Sequence, residues 1–161
     1  MMSKLTQKVI IDTREQAPLS FKNLLTTRAA LETGDYSVAG LEHLIAVERK
    51  SLPDLLACCG HGRERFKREL QRLRAYRFRL LVVESDAAEL EAGEWRSQLK
   101  PQHLLGSLAS WTADFGLPVW LAGDHEGAGR FVERFLYQAA RHIRDEYSAA
   151  NVLIETAEAA A

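Results

Sequence analysis

Three short segments near the start of the chain each place acidic residues at the end of an apolar or β-favouring run. They are Ile11-Asp12-Thr13-Arg14-Glu15 after Lys8-Val9-Ile10, Gly34-Asp35 beside Tyr36-Ser37-Val38, and Glu48-Arg49-Lys50 after Leu44-Ile45-Ala46-Val47. An apolar run that ends in charge reads as a short buried strand emerging at a sheet edge. Charged groups beside a core are costly unless they are paired or bind a metal. Several carboxylates converging on one edge repel each other. A hard divalent cation relieves that repulsion, and Mg²⁺ favours one or two carboxylates together with water and substrate phosphate.

The remaining segments predict an α/β layer with a mixed sheet. Residues 30–39 and Leu44 to Lys50 look like a hairpin, with Gly40 turning the chain, and this argues against a purely parallel, doubly wound sheet. Ala17-Pro18 and the polar residues after them read as a loop. Ser51 is a good N-cap and Pro53 suits a first turn, which predicts a helix from Leu52 to about Cys59. Gly60 and Gly62 break it. A second helix is expected over Arg63 to Tyr76, with Phe66, Leu70 and Leu73 as its apolar stripe. Phe78 to Glu84 reads as a central strand. A short acidic helix capped by Ser85 or Asp86 follows, then a helix from Pro101 to about Phe115 and a strand over Val119 to Ala122. Asp124 can cap a last helix, Gly127 to Tyr147. Residues 1–148 are expected to form one domain and residues 149–161 an Ala-rich, frayed tail.

At 161 residues, 47% hydrophobic and 27% charged, the chain suits one globular domain. No apolar run is long enough to cross a bilayer, and Met1 to Lys8 lacks the order of a signal peptide, so the cytoplasm is the expected address. Cys58 and Cys59 are adjacent, a poor arrangement for a disulfide with each other, and read as small buried helix residues. The net charge of −1 points to no partner, but its distribution does. Arg63 to Arg79 holds eight basic residues against Glu64 and Glu69, whereas Glu84 to Glu94 holds five acids and no base. The first stretch suits phosphates and the second does not. Arg65, Arg68 and Arg72 share one helix face and are the leading candidates for contact with a phosphate backbone, with Arg63 and Lys67 beside them. His61 is a weaker one.

The Glu-x-Lys spacing has a geometric consequence. In a strand, residues i and i+2 face the same side, so Glu48 and Lys50 project together and Arg49 points away. A carboxylate that can hold a metal then sits beside an ammonium that can contact an attacking water or a scissile phosphate. Metal ions lower the pKa of bound water and polarise phosphoryl oxygen, and a nearby cation stabilises charge that develops in the transition state. That is the chemistry of phosphodiester hydrolysis.

The full string is more restrictive than the spacing. Gly34-Asp35, then Glu48-Arg49-Lys50, Ser51-Leu52-Pro53 and Asp54 resembles the XPF-type structure-specific endonucleases, a branch of the PD-(D/E)XK nucleases. Ile11 to Glu15 looks like that family's first strand. The resemblance is close from Val9 to about Leu73. It implies a restriction-endonuclease-like central mixed sheet flanked by helices, and Mg²⁺ or Mn²⁺ as cofactor. It implies Asp35 and Glu48 as metal ligands, with the Arg49 backbone carbonyl a possible third, and Asp12 near the metal directly or through water. Lys50 would position or activate water. Asp54 and Arg49 would be required support, paired with each other or with substrate, and Glu15 and Arg14 would stand at the site's edge. The family commonly forms dimers of nuclease domains and usually carries a tandem helix-hairpin-helix module. Residues 148–161 are too short for that module, so a second copy or a partner subunit is expected to help grip DNA.

Other features have plainer readings. Trp95, Trp111 and Trp120 are expected mainly in packing, with base stacking the alternative. The glycine-rich turn around Asp124 lacks a P-loop ending and the second His of a zinc helix, and reads as a helix-capping turn. Phe131, Phe135, Leu136, Ala139 and Ile143 form a core stripe that could also serve a dimer. The leading functional expectation is an endonuclease acting on branched, flapped or distorted DNA in repair or recombination. Two alternatives are a catalytically silent nuclease fold that binds DNA or a protein, and a small-molecule phosphodiesterase, which leaves the basic helix unexplained.

Overall fold

The computed structural model describes residues 7–160. Six strands form one mixed sheet in the order β2-β1-β3-β4-β5-β6. They are β1 (Lys8–Asp12), β2 (Leu25–Ala29), β3 (Tyr36–Val38), β4 (Ile45–Ser51), β5 (Phe78–Glu84) and β6 (Val119–Leu121). The helices are α1 (Leu52–Cys59), α2 (Arg63–Leu73), α3 (Ala87–Ala92), α4 (Pro101–Phe115) and α5 (His125–Ala159). β3 pairs antiparallel with β1 and β4, while β4, β5 and β6 run parallel. The expected α/β class, mixed sheet and β3–β4 hairpin are all present.

Side-chain alternation divides β4 and β5 between two cores. Ile45, Val47, Leu80 and Val82 pack with Val132, Leu136 and Ala139 of α5. Ala46, Leu81 and Val83 pack on the other face with Leu55, Phe66, Leu70 and Trp111 of α1, α2 and α4. The same parity continues past the apolar part of each strand and decides which helix layer every charged residue meets.

Helix boundaries follow local chemistry. The Ser51 hydroxyl accepts from the Asp54 N–H and caps α1, Asp86 caps α3, and Asp124 caps α5 through the Gly127 N–H. Both cysteines are free and buried on α1. Four expectations need correction. The segment after Pro18 is not all loop: β2 pairs in parallel with β1. Its sequence, Leu-Thr-Thr-Arg-Ala, is almost wholly exposed, so it lacks the apolar alternation that marks a strand. α2 stops at Leu73 rather than Tyr76. β6 ends at Leu121 rather than Ala122. α5 starts at His125 and does not fray at residue 148, but continues to Ala159, as the high helix propensity of its Ala- and Glu-rich end permits. Among the described residues no helix is long and apolar enough to cross a membrane.

Candidate active site

Asp35 reaches its place through backbone geometry. Gly34 adopts φ +80°, and a side chain there would start 2.9 Å from the Val47 carbonyl oxygen. This close approach lets the Asp35 N–H donate to that same oxygen (2.7 Å), and the Asp35 carbonyl accepts from the Asp12 N–H (2.8 Å). Asp35 Oδ2 then accepts from the Arg49 N–H (2.8 Å). The carboxylate is thereby pinned across β4, between Val47 and Arg49.

Glu48 and Lys50 do project together, on the face of β4 that looks toward α2. Lys50 Nζ donates to Glu48 Oε1 (2.6 Å), stands 3.8 Å from Glu69 Oε2, and lies 4.8 Å from the centre of the Phe66 ring. Asp35, Glu48, Lys50, Asp12, Arg14 and Glu69 share a cavity of about 170 Å³, with Arg72 also on its wall. Burial first, and the Glu48 charge second, push the Asp35 carboxyl up to about 7. Burial also raises Glu48, against the opposing pull of Lys50. Burial alone would lower Lys50, but the Glu48 carboxylate outweighs it and holds the ammonium above its ordinary range.

Arg49 faces the other layer. Its guanidinium donates two hydrogen bonds to Glu15 (2.8 and 2.9 Å) and one to Glu84 Oε1 (2.8 Å). His125 Nδ1 lies 2.6 Å from the same Glu84 oxygen, and the Tyr36 hydroxyl donates to Glu15 (3.1 Å). Burial would raise Glu15, yet Arg49 and the Ala17 N–H hold its carboxyl below the usual range. The expected Arg49–Asp54 pairing is absent among the described residues: Asp54 Oδ2 accepts from Ser51 Oγ (2.8 Å). Asp54 still lines an opening of about 400 Å³ with Arg49, Lys50, Glu15 and Glu84. Asp12 is buried, and both of its oxygens are taken by Arg14 and the Leu31 N–H. Burial would raise its carboxyl, but those bonds hold it lower. In this arrangement Asp12 supports the Gly34–Asp35 loop more directly than it offers a free ligand oxygen.

Among the described residues no group of three or more His, Cys, Asp or Glu side chains is arranged to hold a metal. Two carboxylates are nonetheless enough for Mg²⁺ with waters. Asp35 Oδ1 and Glu48 Oε2 accept no hydrogen bond among the described residues. Hard oxygen donors on two carboxyls that are both raised by burial, one of them raised further by the other's charge, suit a divalent cation.

The basic run divides in two. Arg63 donates to Ser107 Oγ (2.7 Å) and lies over Trp111, while Arg79 donates to the Gly116 and Tyr76 carbonyls. Arg65, Arg68 and Arg72 are exposed and Lys67 is half-buried. Arg72 brings that face of α2 to the wall of the carboxylate cavity.

A family model, the ERCC4 domain, matches residues 11–135, most of the chain and all of this constellation. The chain belongs to the ERCC4 domain family. Two solved structures are similar to this ERCC4 domain, and its sheet flanked by helices is the XPF nuclease fold. XPF from Aeropyrum pernix is 19% identical with a TM-score of 0.65, covering 92% of this chain and 73% of that one. XPF from Aeropyrum pernix in complex with DNA is 21% identical with a TM-score of 0.67, covering 84% of this chain and 66% of that one. No curated protein matches the chain. The ERCC4 domain thus places it in a DNA nuclease family.

Three contributors were not singled out in the sequence. Glu69 lay inside the basic run, and its side of α2 became meaningful only against β4. Glu84 ends an apolar strand as Glu48 does, so the rule that marked Glu48 marks Glu84 as well. His125 lies in the glycine-rich turn that reads as a helix cap, and nothing local to that turn points to Glu84.

Proposed function

We propose that this ERCC4 domain is a metal-dependent endodeoxyribonuclease acting on branched, flapped or distorted DNA, in repair or recombination in the cytoplasm. The reading rests above all on the half-buried Asp35–Glu48 pair, which has free oxygens toward a cavity that also holds Lys50. Asp35 and Glu48, with the Arg49 carbonyl, would hold Mg²⁺ or Mn²⁺. A bound divalent ion supplies phosphoryl polarisation and a more acidic water. Lys50, kept protonated by Glu48, stabilises the charge that grows on the scissile phosphate. Water attacks the phosphorus and leaves 5′-phosphate and 3′-hydroxyl ends. Arg49, through Glu15 and Glu84, keeps β4 in register with Asp35. Asp54 stands at the mouth of the opening, and Arg65, Arg68, Arg72 and Lys67 receive the DNA backbone.

The test incubates labelled forked, flapped and linear DNA with the protein and Mg²⁺ or Mn²⁺. Wild type cuts, whereas Asp35→Ala and Lys50→Ala bind without cutting. If wild type and Asp35→Ala give indistinguishable products, the enzyme reading fails and a silent DNA-binding module takes its place. A second copy or a partner subunit is proposed to add DNA grip. The half-buried Phe131, Phe135 and Ile143 of α5 are the surface to examine, and mobility on a sizing column tests the homodimer.

A further inference from the structure

Pro53 and Asp54 are neighbours in the first turn of α1, yet they line different spaces. Ser51 and Asp54 face the opening that holds Arg49 and Lys50. Leu52, Pro53 and Leu56 face a groove of about 620 Å³ whose far wall is the segment from Trp95 to Leu99. The Trp95 indole N–H donates to the Leu99 carbonyl (2.7 Å), so the ring is already fixed as a wall of the groove. The charged or ionisable residues lining the groove are Arg96 and His61, both exposed. No Asp or Glu lines it, although five acids lie between Glu84 and Glu94.

The Gly60–Gly62 turn joins this groove to the basic face of α2. His61 lies in the groove wall. Three residues beyond the turn, the Arg65 guanidinium lies 3.8 Å from where a side chain on Gly62 would begin. Arg65, Arg68 and Arg72 continue along α2 until Arg72 reaches the carboxylate cavity. A row of exposed cations therefore has the catalytic cavity at one end and the apolar groove at the other. An apolar slot with a fixed indole and a cationic rim suits a planar group with apolar faces and attached negative charge. An unpaired nucleobase with its phosphate has that chemistry. An apolar peptide side chain would make no use of Arg96.

We infer that the groove between α1 and the Trp95–Leu99 segment takes an unpaired nucleotide of the DNA strand that runs along α2. This rests on the nuclease reading and deepens it by giving one unpaired nucleotide of the substrate a place beside α1, outside the carboxylate cavity.

The experiment uses the Asp35→Ala protein, Mg²⁺ and a forked duplex with 2-aminopurine at successive positions of the unpaired arm. Stacking in the groove quenches emission at one or two adjacent positions. In the same background Arg96→Glu, an exposed change, relieves that quenching and lowers the fork-to-duplex affinity ratio about ten-fold, the scale of one lost base stack. Ala57→Trp fills the groove and has the same effect, with folding checked by circular dichroism. The inference is overturned if the fork binds with no arm position quenched, or if both variants leave the ratio unchanged, as an apolar-peptide groove would give. If wild type cuts DNA in either case, the nuclease reading survives. If wild type cuts no DNA and the Asp35→Ala protein binds none, both fall together.

Discussion

The backbone N–H of Arg49 donates to Asp35 Oδ2 at 2.8 Å, while the Arg49 side chain leaves the other face of β4 for Glu15 and Glu84. One residue thus ties the candidate ligand Asp35 to an ion-pair cluster on the opposite side of the sheet. Glu15 is 7% exposed, so its charge depends on that guanidinium. Removing one partner of a buried pair leaves an uncompensated charge and costs about 3–5 kcal/mol. Arg49→Ala is therefore expected to lower Tm by about 10 °C and to reduce cutting. Glu84→Gln, which leaves the contacts to Glu15 intact, lowers Tm less. The double variant is less destabilised than the sum of the two, because both changes touch one network. Thermal melts of the four proteins check this.

Asp35 gives a pH dependence with a definite sign. Its folded carboxyl is pushed up to about 7 from an ordinary value of 3.8. The folded state therefore holds the proton more tightly than the unfolded chain does. The stability this group contributes is complete below about pH 4 and is lost as pH rises through about 7. Without divalent ions, Asp35→Asn is expected to melt several degrees above wild type at pH 8, with the gap shrinking toward pH 5. Added Mg²⁺ raises the wild-type Tm more at pH 8 than at pH 5 and leaves Asp35→Asn nearly unchanged. Melts across pH, with and without Mg²⁺, read both effects.

The basic residues of α2 separate by function. Each lost phosphate contact reduces the salt slope of duplex binding by about 0.9, so Arg68→Ala/Arg72→Ala together reduce it by about 1.8. Arg63→Ala leaves the slope nearly unchanged and lowers Tm, because Arg63 is engaged with Ser107 and Trp111. Binding measured against salt concentration, beside melts, distinguishes the two roles.

Gly34 is required by the approach of the Asp35 loop to β4. Ala at this position meets both a left-handed backbone, φ +80°, and the Val47 oxygen at 2.9 Å. The backbone strain alone is of order 1–3 kcal/mol. Gly34→Ala is expected to lower Tm and to reduce the cutting rate far more than the affinity for DNA, since Asp35 moves while α2 does not. Single-turnover cleavage beside equilibrium binding checks this.

Much of the site was legible because its decisive relations are local. Glu48 and Lys50 share a face through the two-residue period of a strand, and Ser51, Asp86 and Asp124 cap helices within three residues of themselves. Of the two pairings expected for Arg49 and Asp54, with each other or with substrate, the first is not formed among the described residues, for a reason of the same kind. Ser51 lies between them in sequence and takes Asp54 as its own partner, while the alternation of β4 sends Arg49 to the other layer.

The sequence by itself determined the strand ends that carry Asp12, Asp35 and Glu48, the side on which Lys50 projects, and the basic character of α2. These follow from periodicity and from short-range hydrogen bonding. Only the tertiary structure decided that Leu25 to Ala29 is a strand, since an exposed polar segment becomes one solely through the ladder β1 offers it. It also decided that Glu84 and Glu15 grip Arg49, from 35 and 34 residues away, and that the Leu31 N–H reaches Asp12 from 19 residues away. Its most local consequence is at Lys50, which stands between Glu48 of its own strand and Glu69 of α2. The first partner is set by a two-residue spacing, and the second by how α2 packs through Phe66 and Leu70 against the sheet.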